Sequence, residues 1–225
     1  MIITIDGPAG SGKSSLAHEL AKRLHMHHLR TGLLYRAAAF LIMRRHQGEQ
    51  KVFNSLAQPT VEDIAALRAI SYTYEQDEPV VCIDGKNVGE FLDNAELDYA
   101  SSTISSLPEI REQLLKIQRK VATQYDIVAE GRDCGSIVFP QADYKFFLTA
   151  TPEVRADRVM KDLKRHIQRT TRADVLQAIN DRDERDKVRK VSPLIVPSDA
   201  HYIDNSSLNF EETVTTVLSF IKISR

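Results

Sequence analysis

The sequence is short of several things at once. Its two cysteines, Cys82 and Cys134, form no CxxC pair and no Cys/His metal spacing, so neither a disulfide framework nor a zinc site gains support and the thiols read as reduced and structural. No charge dominates: 30 Lys and Arg stand against 31 Asp and Glu, a formal net charge of -1. That balance offers no global attraction to nucleic acid or to an anionic membrane, so any basic site must be local. Long hydrophobic runs are missing too. The longest, Leu33 to Met43, is broken by Arg36 and too short to span a bilayer. The opening "MIITIDG" has neither the basic nor the long apolar region of a signal peptide, so a cytoplasmic location is expected.

What is present is the pattern of an ordinary globular chain: 225 residues, 42% hydrophobic and 27% charged, enough to bury a substantial core as a single unit with inserted lobes. Five short β-rich segments, Ile2 to Asp6, His27 to Leu29, Asp126 to Glu130, Tyr144 to Leu148 and His201 to Asp204, alternate with helical patterns. This rhythm predicts an α/β fold with a parallel five-stranded sheet flanked by helices. Leu16, Ala17, Leu20, Ala21 and Leu24 make an apolar stripe on the first helix, and Val214, Val217, Leu218 and Ile221 one on the last, after a capping-box start at Asn209 and Glu212. Between residues 70 and 90, β-rich runs separated by Asp, Pro and Gly predict a small antiparallel insertion. Pro108 then opens a long helix carrying Ile110, Leu114, Ile117 and Val121.

The firmest chemical signal is "ITIDGPAGSGKSSLAHEL". Gly7, Gly12, Lys13 and Ser14 satisfy G-x-x-x-x-G-K-[ST] between an apolar strand and an amphipathic helix. Glycines let the backbone curl its N–H groups inward, and the helix N-terminus adds partial positive charge, which together cradle a polyphosphate. Residues Gly7, Pro8, Ala9, Gly10, Ser11, Gly12, Lys13, Ser14 and Ser15 are therefore the expected nucleoside triphosphate-binding loop, with Lys13 on the β- and γ-phosphates and the Ser14 hydroxyl on Mg²⁺.

A second signal is "NDRDERDKVRK", residues 180 to 190. Read as one helix over 175 to 190, Val175, Ala178 and Ile179 share a stripe with Arg182, Arg185, Asp186 and Arg189, while Asp183, Lys187 and Lys190 fall on a solvated flank. Guanidinium forks suit bidentate recognition of phosphate or carboxylate, and a surface network of ion pairs is the competing reading. Glu130, Arg132 and Asp133 follow an apolar strand, where ligands gather in open parallel sheets. Thr31 and Gly32 mark a strand-to-helix turn, with Arg36 in the helix beyond it. "HMHH", residues 25 to 28, reads as core-edge packing rather than a metal cluster.

With these segments in order, the chain resembles the bacterial cytidylate kinases, nucleoside monophosphate kinases with a phosphate-loop core. The resemblance rests on "IDGPAGSGKSS", "TGLLYRAAA", "EGRDCGSIVFPQADYKFFLTATPEVRADR" and "RDERDKVRKVSPLIVPSDAHYIDNSSL", and spans nearly the whole length. It implies transfer of the ATP γ-phosphoryl group to CMP or dCMP. It implies that Arg36, Arg132 and Arg189 hold the acceptor phosphate, that Thr31, Ser102, Arg111 and Asp133 surround cytosine, and that Arg182 with Asp186 meets the sugar. Lys13, Arg132 and Arg189 would carry the catalytic charge stabilisation. The implied layout is one domain over residues 1-225, with a core of 1-30, 125-151 and 190-225, a monophosphate-binding region 31-124 holding the β insertion, and a short lid with the arginine-bearing helix at 152-189.

The basic run "RVMKDLKRHIQRTTR" would belong to that lid and could bring Arg158, Lys161 or Arg165 towards ATP, although for these individual residues a solvated helix is the preferred reading. Small-molecule nucleotides are the expected partners, with no nucleic acid and no membrane, and a monomer is expected by resemblance alone. One departure stands out: the turn before Thr31 usually carries an acidic residue in that family, whereas here it is Arg30. Two alternatives remain at this stage, another phosphotransferase with a different acceptor and a nucleotide-dependent switch, although the guanine-reading N-K-x-D pattern is absent.

Overall fold

The computed structural model describes residues 1–47, 56–163 and 170–222. Along the chain lie β1 (Ile2–Asp6), α1 (Lys13–Leu24), β2 (His27–Arg30), α2 (Thr31–Arg45), α3 (Val61–Ala66), β3 (Ile70–Glu75), β4 (Glu78–Ile83), β5 (Lys86–Asn87), α4 (Ala95–Ile104), α5 (Pro108–Gln124), β6 (Ile127–Gly131), β7 (Tyr144–Thr149), α6 (Pro152–Leu163), α7 (Arg172–Val188), β8 (His201–Asp204) and α8 (Phe210–Phe220). Five strands form one sheet in the order β2-β6-β1-β7-β8, with β1 parallel to β6 and β7, and β7 parallel to β8. The other three form an antiparallel sheet, β3-β4-β5. The expected five-stranded α/β architecture with a small antiparallel insertion is therefore observed.

The chain divides into two compact units: Met1–Met26 with Asp126–Arg225, and His27–Tyr125. In the first, β1 is buried from Ile3 onward, as a central strand of a parallel sheet covered on both faces must be. Ile3, Ile5, Val128, Phe146 and Leu148 meet Leu16, Ala17, Leu20 and Ala21 of α1 and Val214 and Val217 of α8 in a single core. Helix α1 stops because His25 takes the left-handed conformation (φ 54°), and the Met26 N–H turns back to the Ala21 carbonyl at 2.8 Å. The first histidine of "HMHH" is thus a helix terminator. At the other end of the chain, the Asn209 and Glu212 side chains each accept from the other's backbone N–H at 3.0 and 2.8 Å, the capping box read from the sequence.

In the second unit, β3 and β4 pair through a two-residue turn at Gln76 and Asp77, both at positive φ, and β4 meets β5 through Asp84 and Gly85, also at positive φ. Pro108 occupies the first turn of α5, which buries Ile110, Leu114 and Val121. His27 packs against the rings of Tyr74 and Tyr125 at centroid distances of 4.4 and 4.6 Å, and His28 is buried. Among the described residues no group of three or more His, Cys, Asp or Glu side chains is placed to hold a metal ion.

A buried carboxylate organises the far end of α2. Asp63 is fully buried, closes a capping box with Thr60, and accepts from Arg45 Nε at 2.9 Å, with His46 Nε2 also at 2.9 Å. Although burial works against ionisation, these donors hold its carboxyl down at about 2. Since the folded pKa lies below the ordinary 3.8, the stabilisation is present above that value and is lost as pH falls through about 2. Asp63→Asn, leaving Arg45 without its charged partner, is expected to cost about 1–3 kcal/mol at pH 7 in urea unfolding, and its deficit should shrink below pH 3.

Candidate active site

The loop after β1 bends where only glycine fits. At Gly7 (φ 148°) a Cβ would sit 2.0 Å from the Leu148 carbonyl oxygen, and Gly12 is left-handed (φ 92°) at the cap of α1. Lys13 opens α1 and is 5% exposed, its Nζ donating to the Pro8 carbonyl at 2.7 Å and to Ser11 Oγ at 3.4 Å. Burial, then the positive charge of Arg132, pushes its ammonium down to about 7. A lysine held at this cost is poised to gain from an anion brought to the helix N-terminus. Ser14 and Ser15 follow, both exposed.

Around this loop the first unit assembles most of the acceptor residues expected from the sequence. Arg132 Nε donates to Asp186 Oδ2 at 2.8 Å. Arg189 lies 3.7 Å from Asp186 Oδ1 and 3.8 Å from Asp133 Oδ1, and its Nε donates to the Ser192 carbonyl. Asp133 and Asp186 are 6% and 5% exposed. The positive charges of Arg132 and Arg182 both act on Lys13. Three guanidiniums and two carboxylates thus stand with the buried lysine in one unit.

The rest of the expected set lies in the second unit. Thr31 is the buried first residue of α2. Arg36 donates to the Leu92 carbonyl at 3.0 Å and pairs with Asp93 at 3.3 Å and with Asp98. Arg111 is 8% exposed, donates to the Ser105 carbonyl at 2.9 Å and lies over the Tyr35 ring. Ser102 is half-buried on α4, its carbonyl accepting from Ser105 Oγ at 2.8 Å. Arg30 ends β2, exposed, its backbone N–H donating to Tyr72 Oη at 3.0 Å.

Three readings of the charged helix are corrected. Helix α7 ends at Val188, and Arg189 turns out of it with ψ 136°, so its place in the cluster comes from that turn rather than from helical phase. Asp183 is not on a solvated flank: it is 5% exposed and pairs with Arg155 at 2.7 Å. Ala178 and Arg185 are exposed. The apolar spacing explains this, since Asp183 lies four residues past the buried Ile179 and eight past the buried Val175.

Asp6 and Arg155 carried little or no sequence signal for their roles, and the structure gives Glu130 and Arg158, already marked by their places in the sequence, specific partners. Asp6 accepts from the N–H groups of Cys134 and Gly135 at 2.8 and 2.7 Å, fixing the turn that follows Arg132 and Asp133. Burial raises its carboxyl to about 6. Its one visible signal was an acid ending an apolar strand. Glu130, at the exit of β6, accepts from the Ser14 hydroxyl at 3.0 Å. Arg158 donates to the carbonyls of Ser11 (3.2 Å) and Asn205 (2.9 Å), so this basic residue of the expected lid grips the loop backbone. Arg155 holds Ala9 as well as Asp183. Lys161 is exposed, and Arg165 lies outside the described residues.

The cytidylate kinase family model matches residues 3–223. The chain belongs to that family. It is 35% identical to the cytidylate kinase of Clostridium tetani over 99% of this chain and 94% of that protein, and 38% identical to that of Chlamydia felis over 98% of each. In fold it is similar to an uncharacterized protein from Eubacterium ventriosum, with a TM-score of 0.56 at 13% identity over 98% of both chains. No helix among the described residues is long and apolar enough to cross a membrane.

Proposed function

We infer that this chain transfers the γ-phosphoryl group of ATP to CMP or dCMP, giving ADP and CDP or dCDP. The single observation that carries the site assignment is the Arg132–Asp186–Arg189–Asp133 cluster in the same unit as the buried Lys13. Residues Gly7 to Ser15 hold ATP, with Lys13 on the transferring phosphates. Arg132 and Arg189, joined by Arg36, hold the acceptor phosphate, Asp186 and Arg182 meet the sugar, and Thr31, Ser102, Arg111 and Asp133 surround the base. Cytosine presents an exocyclic amino donor to an aspartate and ring acceptors to an arginine and hydroxyls, whereas uracil reverses the pattern at position 4 and leaves buried polar groups unpaired.

Phosphoryl transfer asks little covalent work of a protein, so positioning and charge do most of it. The Ser14 hydroxyl and Glu130 carboxylate, 3.0 Å apart, are hard oxygen donors of the kind Mg²⁺ accepts alongside phosphate oxygens, and they are the residues that would hold it. When bound, Mg²⁺ offsets charge on the β- and γ-phosphates. Lys13 and the arginines balance the charge that spreads over the transferring group and keep the acceptor oxygen in line. The reading extends to a monomeric cytoplasmic enzyme with small-molecule partners, in which residues 31-124 serve as the monophosphate-binding region and 152-189 as lid and arginine-bearing helix. Its test is ADP release with CMP, dCMP, UMP and AMP as acceptors. CMP and dCMP should exceed the others in kcat/KM by about 10²-fold or more, and faster turnover of UMP or AMP would overturn the base assignment.

A further inference from the structure

Both backbone polar groups of Ala9, inside the phosphate loop, are taken by one ion pair. The Ala9 N–H donates to Asp183 Oδ1 at 3.3 Å, and the Ala9 carbonyl accepts from the Arg155 guanidinium at 2.9 Å. The same guanidinium nitrogen is 2.7 Å from Asp183 Oδ2, while Arg155 Nε donates to the Ala150 carbonyl at 3.0 Å. Arg155 is 4% exposed and Asp183 5%. The next loop residue is pressed against the same helix, since a Cβ on Gly10 would lie 3.0 Å from the Arg155 carbonyl oxygen.

Such a pair is a poor device for stability alone. Desolvating two charges costs roughly what their attraction returns, and well-packed apolar residues of similar volume often serve as well. What apolar residues cannot do is bond both backbone groups of a loop residue. The pair also links three parts: Arg155 stands on α6, Asp183 on α7, and Ala9 in the loop. One turn beyond Asp183, Asp186 holds Arg132. We propose that Arg155 and Asp183 are positioning residues that fix the phosphate loop against α7, so that the donor phosphoryl group and the acceptor oxygen stay aligned. The proposal rests on the phosphotransfer reading above and adds two residues that touch neither substrate.

The experiment uses the double variant Arg155→Met/Asp183→Leu and the single variant Arg155→Lys, assayed well below their melting temperatures. In the double variant no buried charge is left alone, so the melting temperature should fall only by what the lost backbone bonds at Ala9 and Ala150 contribute, and the protein should stay folded. Its kcat should fall about 10²-fold, the scale of an ångström-sized misplacement, with KM for CMP changed by less than about threefold. Wild-type kcat in the folded double variant would overturn the proposal, as would a raised KM for CMP with kcat intact. Arg155→Lys keeps the charge and loses the planar fork, and should lower kcat about tenfold. If the double variant does not fold, this variant decides alone, and unchanged kcat in it overturns the proposal. Failure of the underlying reading would appear separately, as wild-type protein in which CMP does not stimulate ADP release.

Discussion

Replacing Lys13 with methionine is expected to lower kcat on the order of 10³-fold and, at neutral pH, to raise the melting temperature of the protein measured without nucleotide. The two effects share one cause. The Lys13 ammonium is buried beside Arg132 and Arg182, and its pKa falls from 10.5 to about 7. Between those values the unfolded chain still carries the proton while the folded chain has begun to lose it, so the unfolded state binds more protons and stability increases with pH across that window. Methionine keeps the volume and removes the penalty, giving ~2–4 °C in melting temperature for each kcal/mol relieved. The variant should flatten the rise in stability between pH 7 and 10.5 that the wild type shows. Asp6 runs the other way. Its folded pKa of about 6 exceeds the ordinary 3.8, so its stabilising contribution is lost as pH rises through that interval. A melting-temperature profile against pH separates the two, and a Lys13→Met protein no more stable than wild type at pH 7 would count against the buried charge.

Arg189→Lys should lower kcat/KM for CMP by about 10²-fold although the charge is kept. Arg189 stands just past α7, where its fork meets the Ser192 carbonyl on one side and faces Asp133 and Asp186 on the other. An ammonium is a point charge and cannot span those directions while presenting an edge to a phosphate. Since Arg189 lies outside the regular helix, the loss should leave the far-ultraviolet circular dichroism unchanged. Steady-state kinetics with CMP as the varied substrate checks it; unchanged kinetics would return Arg189 to a purely structural place.

How much of this was legible in the sequence follows from the range of the interactions. The phosphate loop, the cap at Asn209, the helix start at Pro108, and the apolar stripes of α1 and α8 are local patterns set by neighbours within a few residues, and they appear where the periodicity puts them. Asp183 is buried because it keeps the spacing of Val175 and Ile179, a register that its charge conceals in the sequence. Arg155 was not legible: its partners Ala9 and Asp183 lie far away in sequence, and an arginine near the start of a basic helix looks like any solvated one. The link between Asp6 and the turn after Asp133 was hidden for the same reason, with 128 residues separating Asp6 from Cys134. Lys13 was assigned its place by motif, but its depressed pKa is a product of burial, which no spacing reveals.

The γ-phosphoryl group is expected to pass to a cytidine monophosphate and not to water. Phosphorus NMR of ATP mixed with an equal amount of CMP and a catalytic amount of the protein tests it directly. The expected spectrum shows CDP and ADP growing together with the loss of ATP and CMP, and no inorganic phosphate; ADP and inorganic phosphate appearing while CMP stays unchanged would contradict it.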